Sequence, residues 1–470
     1  MRIVIVGAGL TGTQLAKHLV QEKHDVSLIE ADEETARHAS NRLDCLVLHD
    51  DGDSIKSLEE AGIAKADALV CLTSSDEKNM IICGLAASRY PHLIKIARVR
   101  NDEYTLLGQN AKILGIDFFV HPDVEAAREV LNALPHGASG NILRFPGTPY
   151  ELGSVNIEEG STLDGLILSN FHSVAQKEGL IPLVEREQES FLPSGSTILK
   201  AGDRVHIIAR EEDMNQVFRL AGRTGTPLRR IGIVGGGRLG SLVAEGLLTD
   251  KSDHAHKTEK SLSHLFRSLI PKSSRRVIII EQNYGVCKEL SARFPDALVL
   301  NDDISDENFI AEERIGELDL IITATANQDL NIITAIYLKT QGVRRAIALV
   351  SSSGHEAIAH KLGVDVAIPV KSVVVDSVLS HLMGKGIQAI HSLGDGIGII
   401  EAEISPDSPI AEKAITEFKL SGGGLVLLVN RKERSFIPRG DYVFKPEDKV
   451  IIIAKNSDDV ELEKFLGSSK

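Results

Sequence analysis

The sequence predicts an α/β chain with two parallel-sheet domains, each followed by a small α+β domain. Three observations carry this. The β-branched run Ile3 to Val6 leads into Gly7, Gly9 and Gly12 and then into a helix-forming stretch, Gln14 to Val20. A continuous apolar run of that kind reads as a strand buried on both faces of a parallel sheet. The same succession returns at Arg230 to Val234, with Gly235, Gly237 and Gly240 behind it. Each parallel unit then gives way to a module closed by matching turns, at Pro193 and Asp203 in the first and Pro438 and Asp448 in the second. A unit that recurs in order is a stronger indication than either glycine motif alone.

At 470 residues the chain is too long for a single core. Hydrophobic residues make up 43% and charged residues 25%, as in an ordinary soluble globular protein. A net charge of −14 argues against a nucleic-acid surface, which needs a basic face. No apolar run approaches the roughly 18 residues of a membrane span. The first residues read as a core strand rather than a signal peptide, so the expectation is a cytoplasmic protein. Cys45, Cys71, Cys83 and Cys287 include no C-x-x-C pair and read as reduced thiols.

In the first unit the glycine spacing is G-x-G-x-x-G, the Rossmann-like turn. Gly7 makes the strand-to-helix turn, Gly9 lets backbone approach a pyrophosphate, and Gly12 lets the helix pack on the sheet. The helix N-terminus, with Leu10 and Thr11 in it, offers free N–H groups and a positive dipole end to phosphates. Glu30 ends the next strand, Asp25 to Ile29, at about the 20-residue spacing of an acid that accepts from ribose hydroxyls. A helix over Glu33–Arg42, a strand at Cys45–Leu48, the acidic turn at Asp50 and a helix over Ser54–Ala61 follow. The strand Ala68–Leu72 ends in Thr73, Ser74, Ser75 and Asp76, small polar residues facing the crevice where ribose and base would lie. Lys95–Val99 carries Arg98, which can reach phosphates held at the first turn. A sixth strand ends at Val120, and a helix over Asp123–Leu134 completes the unit before a Gly- and Pro-containing linker.

The first small module spans 141–222, with strands near Glu151–Ile157, Leu180–Glu185 and Arg204–Ile208 and a short helix over Thr162–Leu168. The domains are therefore expected at 1–134, 141–222, 228–384 and 385–470. In the second parallel unit the strand Val277–Ile280 ends at Glu281, the counterpart of Glu30, and Leu320–Thr323 leads to Thr325. Arg238 and Leu239 lie in its glycine turn, and Pro369 matches Pro122. The copies differ: Ala346–Ser353 has no arginine, so the first pocket is expected to bind nucleotide more tightly.

The second unit also carries an insertion at about 250–276. His254, His256 and His264 lie there among Asp253 and Glu259; the ordinary reading is a solvated loop, and no metal site is expected. Leu262, Leu265, Phe266, Leu269 and Ile270 have helical spacing beside Arg267, Lys272, Arg275 and Arg276. Such a basic amphipathic helix packs on its own domain or docks to a membrane-embedded partner or lipid. For catalysis the chain offers little. Tyr284 and Lys288 have Y-x-x-x-K spacing but sit at the ribose end of the second unit. No H-E-x-x-H, G-x-S-x-G or P-loop occurs, so binding without turnover is the better reading and no catalytic residue is expected.

These residues carry a resemblance. Gly7/Gly9/Gly12, Glu30, Asp50, Leu72 to Asp76 and Ala97 to Asn101 resemble the nucleotide-binding domain that regulates potassium conductance. The modules ending at Asp203 and Asp448 resemble its companion C-terminal domain. Two such pairs in one chain resemble the TrkA family, peripheral regulatory subunits of bacterial Trk potassium uptake systems. The resemblance implies a homo-tetrameric ring on the inner face of the cell membrane, beneath a potassium-translocating subunit. It also implies binding of NAD or NADH, alternatively ATP or ADP, with nucleotide exchange gating the pore. Carried over, Gly7, Gly9, Gly12 and Arg98 hold phosphates and Glu30 ribose, and Gly235, Gly237, Gly240 and Glu281 do so in the second half. Two alternatives stay open: an NAD-dependent oxidoreductase and a nucleotide sensor for another transporter.

Overall fold

The structure is a computed structural model that describes residues 1–21, 23–104, 113–134, 142–145, 147–187, 189–222, 228–248, 275–382, 387–394, 397–417, 423–431 and 434–455. The first parallel sheet contains β1 (Arg2–Val6), β2 (Asp25–Glu30), β3 (Leu46–His49), β4 (Ala68–Cys71), β5 (Ile94–Arg98) and β6 (Phe118–Val120), in the order β3-β2-β1-β4-β5-β6. The order reverses between β1 and β4, which opens a crevice at the carboxyl ends of these strands. Helices α1 (Leu10–Gln21), α2 (Glu33–Ser40), α3 (Ile55–Glu60) and α4 (Asp76–Arg89) connect them. Ile3, Val4 and Ile5 are fully buried, as a strand covered on both faces requires.

The second parallel sheet repeats the plan with β12 (Arg230–Val234), β13 (Arg276–Glu281), β14 (Leu298–Asn301), β15 (Leu320–Thr323), β16 (Arg345–Val350) and β17 (Val366–Pro369), in the order β14-β13-β12-β15-β16-β17. Its helices are α8 (Arg238–Leu248), α9 (Tyr284–Arg293), α10 (Glu307–Glu312), α11 (Gln328–Thr340) and α12 (Ser353–Lys361). The α/β class with doubled Rossmann-like sheets is as the sequence predicts. Most element ends agree to within a residue or two; β16 stops at Val350 because Ser353 already opens α12.

The last helix of each parallel unit does something the sequence pattern did not announce. α5 (Pro122–Ala133) packs on α8 of the second unit, and α13 (Val370–Leu382) packs on α1 of the first. Val124, Ala127, Val130, Leu131 and Leu134 share a core with Ile231, Ile233, Leu242 and Val243. Val374, Val375, Val378, Leu379 and Leu382 share one with Ile3, Ile5, Leu15 and Leu19. Gly246 on α8 makes the first contact possible, since a Cβ there would lie 2.3 Å from Leu131 Cδ1. The two helices also cross each other. The exchange buries each apolar helical stripe in the other unit's core.

The small modules are antiparallel. The first holds β7 (Ile142–Arg144), β8 (Tyr150–Asn156), β9 (Gly179–Arg186), β10 (Glu189–Phe191) and β11 (Arg204–Arg210), in the order β10-β9-β11-β8-β7, with helices α6 (Phe171–Ala175) and α7 (Glu211–Leu220). The second contains β18 (Ile387–Gly394), β19 (Ile397–Glu403), β20 (Gly424–Arg431), β21 (Arg434–Phe436) and β22 (Lys449–Lys455), in the order β18-β19-β22-β20-β21. Strand alternation divides the work. Val205, Ile207 and Ala209 face Met214, Val217 and Phe218 of α7, while Ile208 joins Tyr150 and Leu152 against Ile397, Ile399, Leu428 and Ile453 of the other module. Asp203 takes a bidentate bond from Arg186 at 2.7 Å on both oxygens, and Asp448 takes one from Arg431 at 2.6 and 2.7 Å.

One expected element is absent. Thr162–Leu168 is a turn rather than a helix, because Gly165 is left-handed (φ +78°) and Asp164 turns out to accept from Gly160 and Ala201 N–H. The helix comes later, at α6. The insertion's histidines and its amphipathic stretch lie outside the described residues, as does the 135–140 linker.

Candidate nucleotide-binding sites

Both glycine turns are built by the same contacts. Gly7 and Gly235 are left-handed, at φ +102° and +101°, a conformation that strains any side chain. A Cβ on Gly12 would fall 1.9 Å from Gly7 O, and one on Gly240 would fall 2.0 Å from Gly235 O, so these two glycines seat the helix on the strand. Gly9 and Gly237 are different: a Cβ there would meet nothing within 4 Å. That open space over the backbone is what a pyrophosphate needs, and it is the feature by which the turns fit such a group.

The acidic residue is fixed in both copies. Glu30 accepts from Ala8 N–H at 2.6 Å and from Asp32 N–H at 3.0 Å. Glu281 accepts from Gly236 N–H at 2.7 Å and from Asn283 N–H at 2.8 Å. Each carboxylate oxygen keeps a further lone pair for a ribose hydroxyl. In the first turn Thr13 adds a brace, its hydroxyl donating to Ala8 O at 2.7 Å.

Across the crevice, Thr73 is held by Asn79: its N–H and its hydroxyl both donate to Asn79 Oδ1, at 2.9 and 2.7 Å. Asn79 Nδ2 returns bonds to the carbonyls of Thr73 and Arg98. Thr325 is held in the same way by Asn331, which also reaches Leu349 O. Both asparagines are fully buried. This clamp sets the ends of the fourth and fifth strands of each sheet, and the site reading from sequence did not include it. Arg98 Nη1 donates to Thr73 O at 2.9 Å; burial and the neighbouring Arg100 both lower its pKa.

The remaining expected residues fall as follows. Leu10 is 70% exposed at the start of α1, with Thr11 beside it, and Ser74 is exposed at the crevice rim. Asp50 is exposed and accepts from Ser57 Oγ at 2.7 Å and from Asp51 N–H, and these bonds hold its carboxyl below the usual range. Leu239 packs against the core beneath α8. Arg238 leaves its own turn and donates to Asp102 of the first unit at 2.6 Å, with Asp123 3.6 Å away. Buried His121 caps α5 and lies 3.2 Å from the same Asp102. Nothing in the local sequence marks this clasp, since its members are distant in the chain.

Tyr284 is 73% exposed at the first residue of α9. All four cysteines are free thiols; Cys71, Cys83 and Cys287 are buried and Cys45 is half-buried. Among the described residues no helix is long and apolar enough to cross a membrane. None of the described His, Cys, Asp and Glu side chains form a group of three or more placed to hold a metal ion.

Comparisons with known proteins agree with this architecture. The TrkA-N domain model matches residues 3–122 and 262–370, and the TrkA-C domain model matches 152–222 and 399–467. The Trk system potassium uptake protein TrkA of Halomonas elongata is 28% identical over 459 residues, covering 96% of this chain and 95% of that one. A TrkA homolog of Archaeoglobus fulgidus is also 28% identical, over 97% of each chain. In fold the chain is similar to the GsuK RCK domain, with a TM-score of 0.56 and 15% identity over 100% of this chain and 95% of that one. It is similar too to the GsuK channel bound to NAD, with a TM-score of 0.55 over 100% of this chain and 79% of that one. With both domain models matched twice in tandem along these doubled sheets, the chain belongs to the TrkA family.

Proposed function

We propose that this chain is the nucleotide-binding regulatory subunit of a membrane potassium uptake system. It works at the cytoplasmic face of the membrane as a homo-tetrameric ring beneath a potassium-translocating subunit. The observation that carries the reading is the pair of open glycine turns, each facing a fixed carboxylate and an asparagine-clamped strand end. The names of the relatives supply the transport context.

The residues present suit NAD or NADH, and equally ATP or ADP, because all share an adenosine and a diphosphate. Gly7, Gly9 and Gly12 with Arg98 would hold phosphate and Glu30 ribose; Gly235, Gly237, Gly240 and Glu281 would do the same in the second unit. The bound group supplies charge and contact area rather than chemistry. A ligand shifts the ring's shape only through unequal affinity for two shapes, and the exchanged helices, with the Arg238–Asp102 bond, are where each pocket's unit touches the other. The chain is read as a regulator and not an enzyme.

The test is potassium flux into proteoliposomes holding the membrane subunit, with and without this chain, under NADH, NAD, ATP and ADP. Nucleotide-dependent flux that needs the chain supports the reading. Nicotinamide redox turnover by the chain alone would instead favour an oxidoreductase, and binding without any effect on potassium flux would favour a sensor for another transporter.

A further inference from the structure

The two pockets have the same turn and acid, and both carry carboxylates at the start of the helix across the crevice, Asp76 and Glu77 in the first and Asp329 in the second; they differ in the cation that balances them. The asparagine clamp gives the correspondence: Asn79 Nδ2 reaches Arg98 O, and Asn331 Nδ2 reaches Leu349 O. Arg98 has no carboxylate within ion-pair distance among the described residues, and its one protein hydrogen bond is to Thr73 O. Leu349 instead is buried, 2% exposed, and belongs to the core of the second unit. The other cation of the second turn, Arg238, is engaged by Asp102. Among the described residues the second pocket therefore offers a diphosphate the N-terminus of α8 and no side-chain cation other than the paired Arg238.

What lies beyond Thr325 is a cleft of about 620 Å³ lined by Ala326, Asn327, Gln328, Asp329, Ser351 and His355. That falls within the ~300–1,000 Å³ typical of small-molecule sites. Its lining supplies carboxamides, a hydroxyl and an imidazole, and its single charge is a carboxylate. His355 Nδ1 lies 2.9 Å from both Ser351 and Ser352 hydroxyls, and its Nε2 is 3.4 Å from Asp329. Such a wall pairs well with ribose hydroxyls and an amide-bearing ring. It pairs badly with a terminal phosphate, which would meet Asp329 with no counter-charge.

Resting on the nucleotide-binding reading above, we propose that the pockets differ in ligand class. The second takes a dinucleotide, its second nucleoside filling the Asn327–His355 cleft, and rejects nucleoside triphosphates. The first takes the polyphosphate, with Arg98 on its charged end. The two halves of one chain thus respond to two different metabolite pools.

Calorimetry on the full chain tests this with ATP and NADH as probes. Wild type should bind one ATP per chain, and NADH should still bind when ATP is saturating. Arg98→Ala should weaken ATP at least about tenfold and leave the ATP-insensitive NADH site unchanged. His355→Ala should weaken that NADH site and leave ATP unchanged. Asp329→Lys, at a side chain 77% exposed, should create a second ATP site without threatening the fold. Two equal ATP sites in wild type, full competition between ATP and NADH, or an Asp329→Lys chain that still binds one ATP would each overturn the proposal. If wild type bound neither probe, the nucleotide-binding reading itself would fall.

Discussion

Arg238, in the glycine turn of the second parallel unit, donates to Asp102 of the first across 2.6 Å. The bond ties the glycine turn of one unit to the segment after the fifth strand of the other. Burial would raise the Asp102 carboxyl, but bonds from His121 and Arg238 outweigh it and hold the group below its ordinary value. A depressed carboxyl pKa gives stability above the unfolded value near 3.8 that is lost as pH falls through the folded one. Asp102→Asn should therefore cost about 1 kcal/mol at pH 7, since both partners are part-exposed, and little near pH 3. Chemical denaturation at the two pH values checks this; equal losses at both would rule out the ion pair as the cause.

The glycine turns allow folding and binding to be separated. Gly12→Ala drives a methyl onto Gly7 O and should destabilise the first unit by roughly 2–4 kcal/mol. Gly9→Ala meets open space, so its melting temperature should stay near wild type while nucleotide affinity drops. A Gly9→Ala chain that bound as well as wild type would show that no ligand approaches this backbone.

Asn79→Ala removes a buried clamp of several hydrogen bonds, taking the carboxamide donor from the Thr73 and Arg98 carbonyls and the acceptor from the Thr73 N–H and hydroxyl. The expected loss is about 2–3 kcal/mol, together with weaker ATP binding because Arg98 loses its register. Asn331→Ala should cost similar stability and leave ATP affinity alone. Paired melts and titrations decide it.

The crossing of α5 and α13 is expected to make stability depend on pH. Burial, then the Glu125 charge, pushes Glu129 up to about 7 against the pull of Arg128, Asn132 and Arg144. Burial likewise pushes Asp376 up to about 7; His18 opposes it, while Glu129 and Glu356 add to it. Here the folded pKa lies above the unfolded one, so the folded chain holds extra protons between the ordinary carboxyl range and about 7. Stability should fall as pH rises through that window and level off above it. Glu129→Gln and Asp376→Asn should each raise the unfolding free energy at pH 8 by roughly 1–2 kcal/mol, read as a higher melting temperature, and change little at pH 4. Stabilisation equal at both pH values would argue against titration.

Local pattern carried most of the fold. The β-branched runs, Gly7 to Gly12 and Gly235 to Gly240, and the acids at Glu30 and Glu281 each draw on neighbours within one strand-turn-helix unit, and such signals survive in sequence. Asn79 and Asn331 were harder to see, because a buried asparagine inside a helix looks like any polar residue until its carbonyl partners are placed. The Arg238–Asp102 clasp and the helix exchange were invisible for another reason. An apolar stripe such as Val124, Ala127, Leu131 states that a helix is buried without naming the core that buries it. The Thr162–Leu168 turn shows a glycine overriding apolar spacing.

The traded helices also bear on how dissimilar halves stay together. Separate subunits sharing such an embrace would have to meet in solution, and two of one kind could couple as readily as one of each. Joined in a single polypeptide, the partners face one another at an effective concentration set by the connecting segment, on the order of millimolar. Mispairing is suppressed by covalent attachment, so the two halves can differ, Leu349 standing in one where Arg98 stands in the other. Every molecule then carries both halves in a fixed one-to-one ratio.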